Sequence, residues 1–284
     1  MKLYIIIATL GLSTFGCDFQ KIIPAPTPAT VTPAKKIITN TLNHRIKPPA
    51  GYTRIPVPLN SFAHYLRNHK LKPSGSLANY YNGETKPASG IYMAVLELEI
   101  GDKDLHQCAD AIMRLKADYH YYAQEYDRIK FNFTNGHRVA YSEWRKGKRI
   151  KVDGNKTTWI QTEKPSTSYA AYWDYMEQIF MYAGTYSLSK EMKSVPLKDM
   201  QVGDVLIKGG FPGHGVIVMD MAIHESTGQK LYLLAQSYMP AQQTQILINP
   251  NDAKLSPWYV LELGHDISTP EYTFVQADLK RFRE

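Results

Sequence analysis

The stretch GDVLIKGGFPGHGVIVMDMA, residues 203–222, decides how the rest of the chain is read. Val205, Leu206 and Ile207 form a short apolar run, and Val216 to Met219 form a second. Both have the composition of strands covered on two faces. Between them Gly209, Gly210, Pro212 and Gly213 make a turn open to few other residue types. His214 thus stands at the mouth of a strand, beside a loop with little side-chain bulk, where a substrate can approach closely. The alternative is a strand-end histidine bonded to a nearby carbonyl, since most single histidines have no catalytic role.

Downstream, Gly228 marks a turn and Leu231 to Gln236 reads as the next strand. Ser237 and Tyr238 leave that strand beside Pro240, and Gln245 to Ile248 gives a further strand. A last strand-helix piece begins at Tyr272. Upstream, Asp104 is a helix cap whose fourth position is Gln107, an arrangement like a capping box. Leu105, Cys108, Ile112, Leu115 and Tyr119 then recur at helical spacing along one stripe. Cys108 lies on the core-facing side and about one turn inside the helix. Core placement makes a thiol an inert packed group. Nearness to a helix N-terminus lowers its pKa, because free N–H groups stabilise a thiolate.

Further elements fill the region between. Ser61 or Asn60 caps a short helix from Phe62 to Asn68, and Asn82-Gly83 joins a hairpin. Ile91 to Ile100 reads as a strand with Leu96, Leu98 and Ile100 on one face and Glu97 and Glu99 on the other. Glycine turns near 136, 147 and 154 divide residues 128–161 into an antiparallel meander. Ser168 to Met192 is a second long helical region, with Gly184 as a bend.

The N-terminal segment MKLYIIIATLGLSTFGC has an apolar run of export-signal length, too short to span a bilayer comfortably. Small residues ahead of Cys17 resemble the lipobox of bacterial lipoproteins. That resemblance implies removal of residues 1–16 and lipid on Cys17. Residues 17–50, with six prolines from Pro24 to Pro49, read as an extended tether, and residues 51–284 as a single domain. The mature chain would hold one side-chain thiol, Cys108, and no internal disulfide; a lone thiol in an exported protein is a candidate nucleophile.

A formal charge of +7 and a pI near 9.1 favour anionic surroundings such as a membrane face or a cell-wall polymer. There is no zinc-finger spacing, RNA-binding aromatic signature or phosphate-binding glycine loop, so nucleic acid is not expected. The nine histidines show no His-Glu-x-x-His spacing. Neither a metal nor a cofactor is expected.

DLHQCADAIMRLKADY (104–119), MYAGTYSL (181–188), the 203–222 stretch, LLAQSYMPAQ (233–242) and SPWY (256–259) resemble a family of bacterial secreted or lipid-anchored domains of unknown function. Gly203-Asp204 followed by His214 and an apolar strand is also similar to the GD…GHxxI pattern of NlpC-type papain-like cell-wall peptidases and amidases. That likeness implies Cys108 as nucleophile, His214 as general base and Gln236 as the residue orienting it. Gln107, Gly210, Gly213, Ser237 and Tyr238 would then line the substrate. Gln107-Cys108-Ala109-Asp110 stands where those enzymes carry Asp-Cys-Ser-Gly.

The expectation is an α+β fold: a papain-like antiparallel sheet packed on helices, with an inserted β meander. Its function would be a lipid-anchored cysteine amidase or peptidase of the cell envelope, periplasmic or on the outer membrane, acting on cell-wall peptide or another amide. The alternative is a non-catalytic envelope lipoprotein that binds peptide or glycan on the same scaffold.

Overall fold

The computed structural model describes residues 40–283. Nine strands form one sheet: β1 Tyr52–Arg54, β2 Tyr92–Val95, β3 Lys193–Ser194, β4 Val205–Lys208, β5 His214–His224, β6 Lys230–Gln236, β7 Gln245–Leu247, β8 Tyr259–Val260 and β9 Leu279–Arg281. They run in the order β2-β7-β6-β5-β4-β9-β3, with β1 also paired to β5 and β8 to β6. Every pairing is antiparallel. The helices are α1 Leu42–Arg45, α2 Phe62–Arg67, α3 Cys108–Tyr122, α4 Tyr141–Trp144, α5 Tyr169–Tyr182 and α6 Thr185–Glu191. The fold is α+β, a large antiparallel sheet packed against helices.

The sheet grows from the hairpin of β5 and β6. From His214 to Ala222 every residue of β5 is buried, as its unbroken apolar run requires. Ile217, Met219 and Ala222 join the core shared with α3 and α5. Val216, Val218 and Met221 join a second core on the other face, with Leu234, Phe274 and Leu279. A register shift between Val218 and Asp220 adds a residue to β5. The bulge leaves Asp220 fully buried between two guanidinium groups, with Arg54 Nε and Arg67 Nε each 2.6 Å from its carboxylate. Those ion pairs fasten β1 and α2 to the sheet. At the start of β4, Arg281 binds Asp204 through Nε at 2.6 Å and Nη2 at 2.8 Å, which anchors β9.

Several elements differ from the expectation. Packing begins ahead of residue 51: Leu42 and Ile46 are in the main core, and Thr41 bridges to Lys70. Among residues 40–50 the expected tether is therefore part of the fold. Helix α3 starts at Cys108, because Asp104 Oδ1 accepts from Ala241 N at 2.6 Å instead of capping a helix. The expected strand 91–100 pairs in the sheet only over β2, although Leu96, Leu98 and Ile100 are buried and Glu97 and Glu99 exposed as read. At the Asn82-Gly83 turn only Gly83 has positive φ, so it is not the type with two such residues. The meander is two separate hairpins, Lys130–Asn132 with Arg138–Ala140 and Lys148–Asp153 with Lys156–Gln161, divided by α4. Tyr141 and Trp144, three apart, turn inward together, and Trp144 Nε1 donates to Ala171 O at 3.0 Å. The long second helix is broken into α5 and α6 at Ala183-Gly184. After Tyr272 the chain forms Thr273–Phe274, a short 3-10 turn and β9, with no closing α-helix.

Removing one partner of a buried ion pair leaves the other charges unpaired. Asp220→Ala should therefore lower unfolding free energy by about 3–5 kcal/mol, measured by urea denaturation. A loss within about 0.5 kcal/mol would show that the two arginines are solvated without it.

Candidate functional site

Cys108 is the first residue of α3, a full turn nearer the helix N-terminus than its spacing suggested. Gln107 is its N-cap, and Asp110 Oδ2 accepts from Gln107 N at 3.0 Å, so the helix start is fixed by its own third residue. The N–H groups of Ala109, Gly215 and Cys108 favour the thiolate form of Cys108. Gly215 is the residue after His214, so the helix end abuts the mouth of β5. That approach depends on the missing side chain: a Cβ at Gly215 would lie 3.0 Å from Ile112 Cδ1.

His214 Nε2 lies 2.9 Å from Gln236 Oε1 on the neighbouring strand. Since Gln236 Oε1 accepts only, Nε2 carries the proton and Nδ1 is the basic nitrogen. Gln236 Nε2 donates in turn to Glu271 Oε2, which also takes Lys86 Nζ at 2.7 Å. The result is a chain from imidazole to amide to carboxylate to ammonium. Three rings cover the imidazole: Tyr238 edge-on at 4.7 Å, Tyr272 at 5.2 Å and Phe274 stacked at 5.9 Å. The histidine retains 2 % of its accessible surface and Cys108 retains 9 %.

Burial decides the protonation of both. It pushes the thiol up to about 11, the Asp110 carboxylate adding to it and the three N–H groups opposing. It pushes His214 down to about 4, against the Gln236 hydrogen bond and the charge of Glu271. The lowered thiol pKa considered from the sequence is thus reversed, because desolvation outweighs the helix N-terminus. At neutral pH the two are an uncharged thiol and an uncharged imidazole. The hydrogen bond of the imidazole runs to Gln236 and not to the thiol.

The other expected residues divide. Tyr238 borders the imidazole and is half-buried. Ser237 is fully buried and shares its hydroxyl proton between the carbonyl oxygens of His106 and Gln242, so it shapes the chain and does not face a ligand. Gln107 is half-buried, its Nε2 donating to Asp104 Oδ1 at 3.1 Å and so committed away from an oxyanion. Gly213 is packed inside the turn, where a Cβ would meet Gly210 O at 2.4 Å; Gly210 has open space beside it. Between them Phe211 stands 97 % exposed. Cys17 lies outside the described residues. Lys86 and Glu271 were missed because nothing local marks them: one sits on a hairpin and the other in a loop 35 residues after Gln236. Among the described residues no group of His, Cys, Asp and Glu converges as a metal-holding cluster, and no helix is long and apolar enough to cross a membrane.

These features define an antiparallel-sheet α+β domain with a buried cysteine at the start of a helix and a buried histidine at the start of a central strand. The chain belongs to the family described as domain of unknown function 4846, whose model matches residues 42–281. No curated protein and no solved structure matches it.

His214 is held below its unfolded value of roughly 6.5, so between there and about pH 4 the unfolded chain binds the extra proton. Its contribution to stability is full above that window and is lost as pH falls through it. Glu191, raised to about 7 by burial, works in the opposite sense, so the histidine is isolated by a difference. The Tm gap between wild type and His214→Gln should shift in favour of the variant as pH falls from about 6.5 to 4. A gap that stays constant would mean that the imidazole titrates alike in the folded and unfolded chain.

Proposed function

We propose that this protein is a papain-like cysteine hydrolase of the cell envelope, acting on the amide bonds of cell-wall peptide. One observation carries the reading: α3, which begins at Cys108, packs against β5 at Gly215, next to His214, whose imidazole is oriented by Gln236. The chain order, helix cysteine then strand histidine then polar residue on the adjacent strand, is that of NlpC-type enzymes. The lipobox-like segment ending at Cys17 and the net charge of +7 fit a membrane-anchored protein beside an anionic polymer.

Cys108 is the nucleophile in this reading and His214 the general base. Starting from neutral partners, His214 Nδ1 takes the thiol proton as sulfur attacks the carbonyl carbon. The first N–H groups of α3, which no helical carbonyl can take, stabilise negative charge at this point. The imidazolium then gives its proton to the departing amine, and water releases the acyl group as acid. Gln236 fixes the tautomer, and Glu271 fixes Gln236. Glu271 also draws the imidazole pKa upward, which favours the imidazolium formed in the first step.

A second reading, a non-catalytic envelope protein that binds peptide or glycan, is favoured by one observation: three aromatic rings cover the imidazole. Iodoacetamide labelling of Cys108 separates the two. In the hydrolase, wild type labels faster than His214→Ala near neutral pH, and Tyr238→Ala speeds labelling by uncovering the pair. Cleavage of a muropeptide amide should vanish in Cys108→Ala, fall by roughly 100-fold or more in His214→Ala and fall less in Gln236→Ala. Turnover should drop as pH falls through about 4, where His214 becomes protonated. Equal labelling of wild type and His214→Ala at every pH from about 6 to 9 would favour the binding protein instead.

A further inference from the structure

A second site lies further along α3. A cleft of about 1060 Å³ is bounded by α2, the segment 97–99, the middle of α3 and the start of α5. Arg114 forms its floor and retains only 2 % of its surface. Its Nε donates to Asp118 Oδ1 at 2.6 Å and its Nη2 to Tyr169 OH at 2.8 Å, while Nη1 has no partner. Tyr169 OH passes the chain on to Glu99 Oε2 at 3.3 Å, on the rim. The guanidinium is held from two sides and lies over the Trp173 ring at 4.6 Å, so it braces the floor of the opening, its unpartnered Nη1 itself buried.

We propose that this cleft binds a carbohydrate chain. The polar lining carries both signs: Lys70 and Lys72 donate and Glu97 and Glu99 accept, while Arg114 and Asp118 pair with each other beneath them. Two cations against two carboxylates select neither an anion nor a cation. A hydroxyl group suits such a lining, because it donates and accepts at once. Tyr65, Tyr122 and Tyr169 supply ring surfaces for the apolar faces of sugar rings. A shallower depression of about 550 Å³ adjoins through shared Glu99 and Gln243 and brings Tyr80, Tyr81 and Trp173. The two together form a path for a linear chain and exceed what one sugar ring needs.

A peptide is less well matched. Peptides that add as a strand need free main-chain groups on the wall. Here the N–H groups of Leu96 and Glu97 are already spent on the carbonyls of Thr244 and Lys70. The site is independent of the thiol: Arg114 and Cys108 lie six residues apart on one helix, roughly 9 Å along its axis.

The full chain should be titrated calorimetrically with cellohexaose, maltohexaose and chitohexaose. At least one should bind, and Tyr122→Ala and Glu97→Gln should each weaken it by about tenfold. Tyr122 is 65 % exposed and Glu97 is exposed, so neither change threatens the fold. Unchanged labelling of Cys108 in both variants would confirm that the loss is local. Failure of all three sugars to bind overturns the assignment. So does binding that both variants leave intact, or displacement of the sugar by an unglycosylated cell-wall peptide.

Discussion

The structure depends on one close approach, that of α3 to β5 at Gly215. A strand buried on both faces has its inner side chains occupied, so a helix end can reach its backbone only where a side chain is missing. Gly215 supplies that gap, with Ile112 Cδ1 already 3.0 Å from where a Cβ would be. Because the glycine follows His214 directly, the gap that seats α3 lies beside the histidine's own strand end. The docking of the helix there is therefore a consequence of core packing and needs no separate loop to hold it.

What surrounds the pair follows from the same burial. The N–H groups at the start of α3 and of Gly215 favour a thiolate, yet desolvation is the larger effect and the thiol stays protonated. The imidazole, covered by Tyr238, Tyr272 and Phe274, stays neutral for the same reason. A buried neutral histidine must still satisfy its N–H, which Gln236 does, and Gln236 must satisfy its own amide, which Glu271 does. Lys86 then balances Glu271. Each partner is required by the one before it, and the series ends at a buried ammonium paired with a partly exposed carboxylate.

The legible parts of the sequence were those set by local pattern. The two apolar runs around His214 gave β4 and β5, and Leu231 to Gln236 gave the core of β6, because unbroken apolar residues between glycine turns have few other solutions. Ser61 as the cap of α2 was readable for the same reason. The start of α3 was not, since Asp104, a good cap by type, is taken by Ala241 from a segment 137 residues away. Helix α4 was hidden inside a strand-like stretch, because only the packing of Tyr141 and Trp144 against α5 makes four residues helical there. The cleft beside Arg114 left one trace, the i,i+4 spacing of Arg114 and Asp118, which reads as an ordinary helix-surface pair until Tyr169 and Tyr172 are known to bond to it.

Helix α3 thus carries two kinds of polar group on one rod, and their burial separates their roles. At its first residue the thiol is neutral and buried. Two turns on, Arg114 is charged, braced and set beneath an opening of about 1060 Å³. A helix in a close-packed core moves as a unit, so both ends keep a fixed separation whatever occupies the cleft. For a hydrolase this places the burden of access on Tyr238 and the exposed Met239 that follows it, not on α3. The loop is pinned on either side by the Ser237 hydroxyl on His106 O and by Ala241 N on Asp104, so access falls to the Tyr238 and Met239 side chains, whereas moving the helix would open the main core.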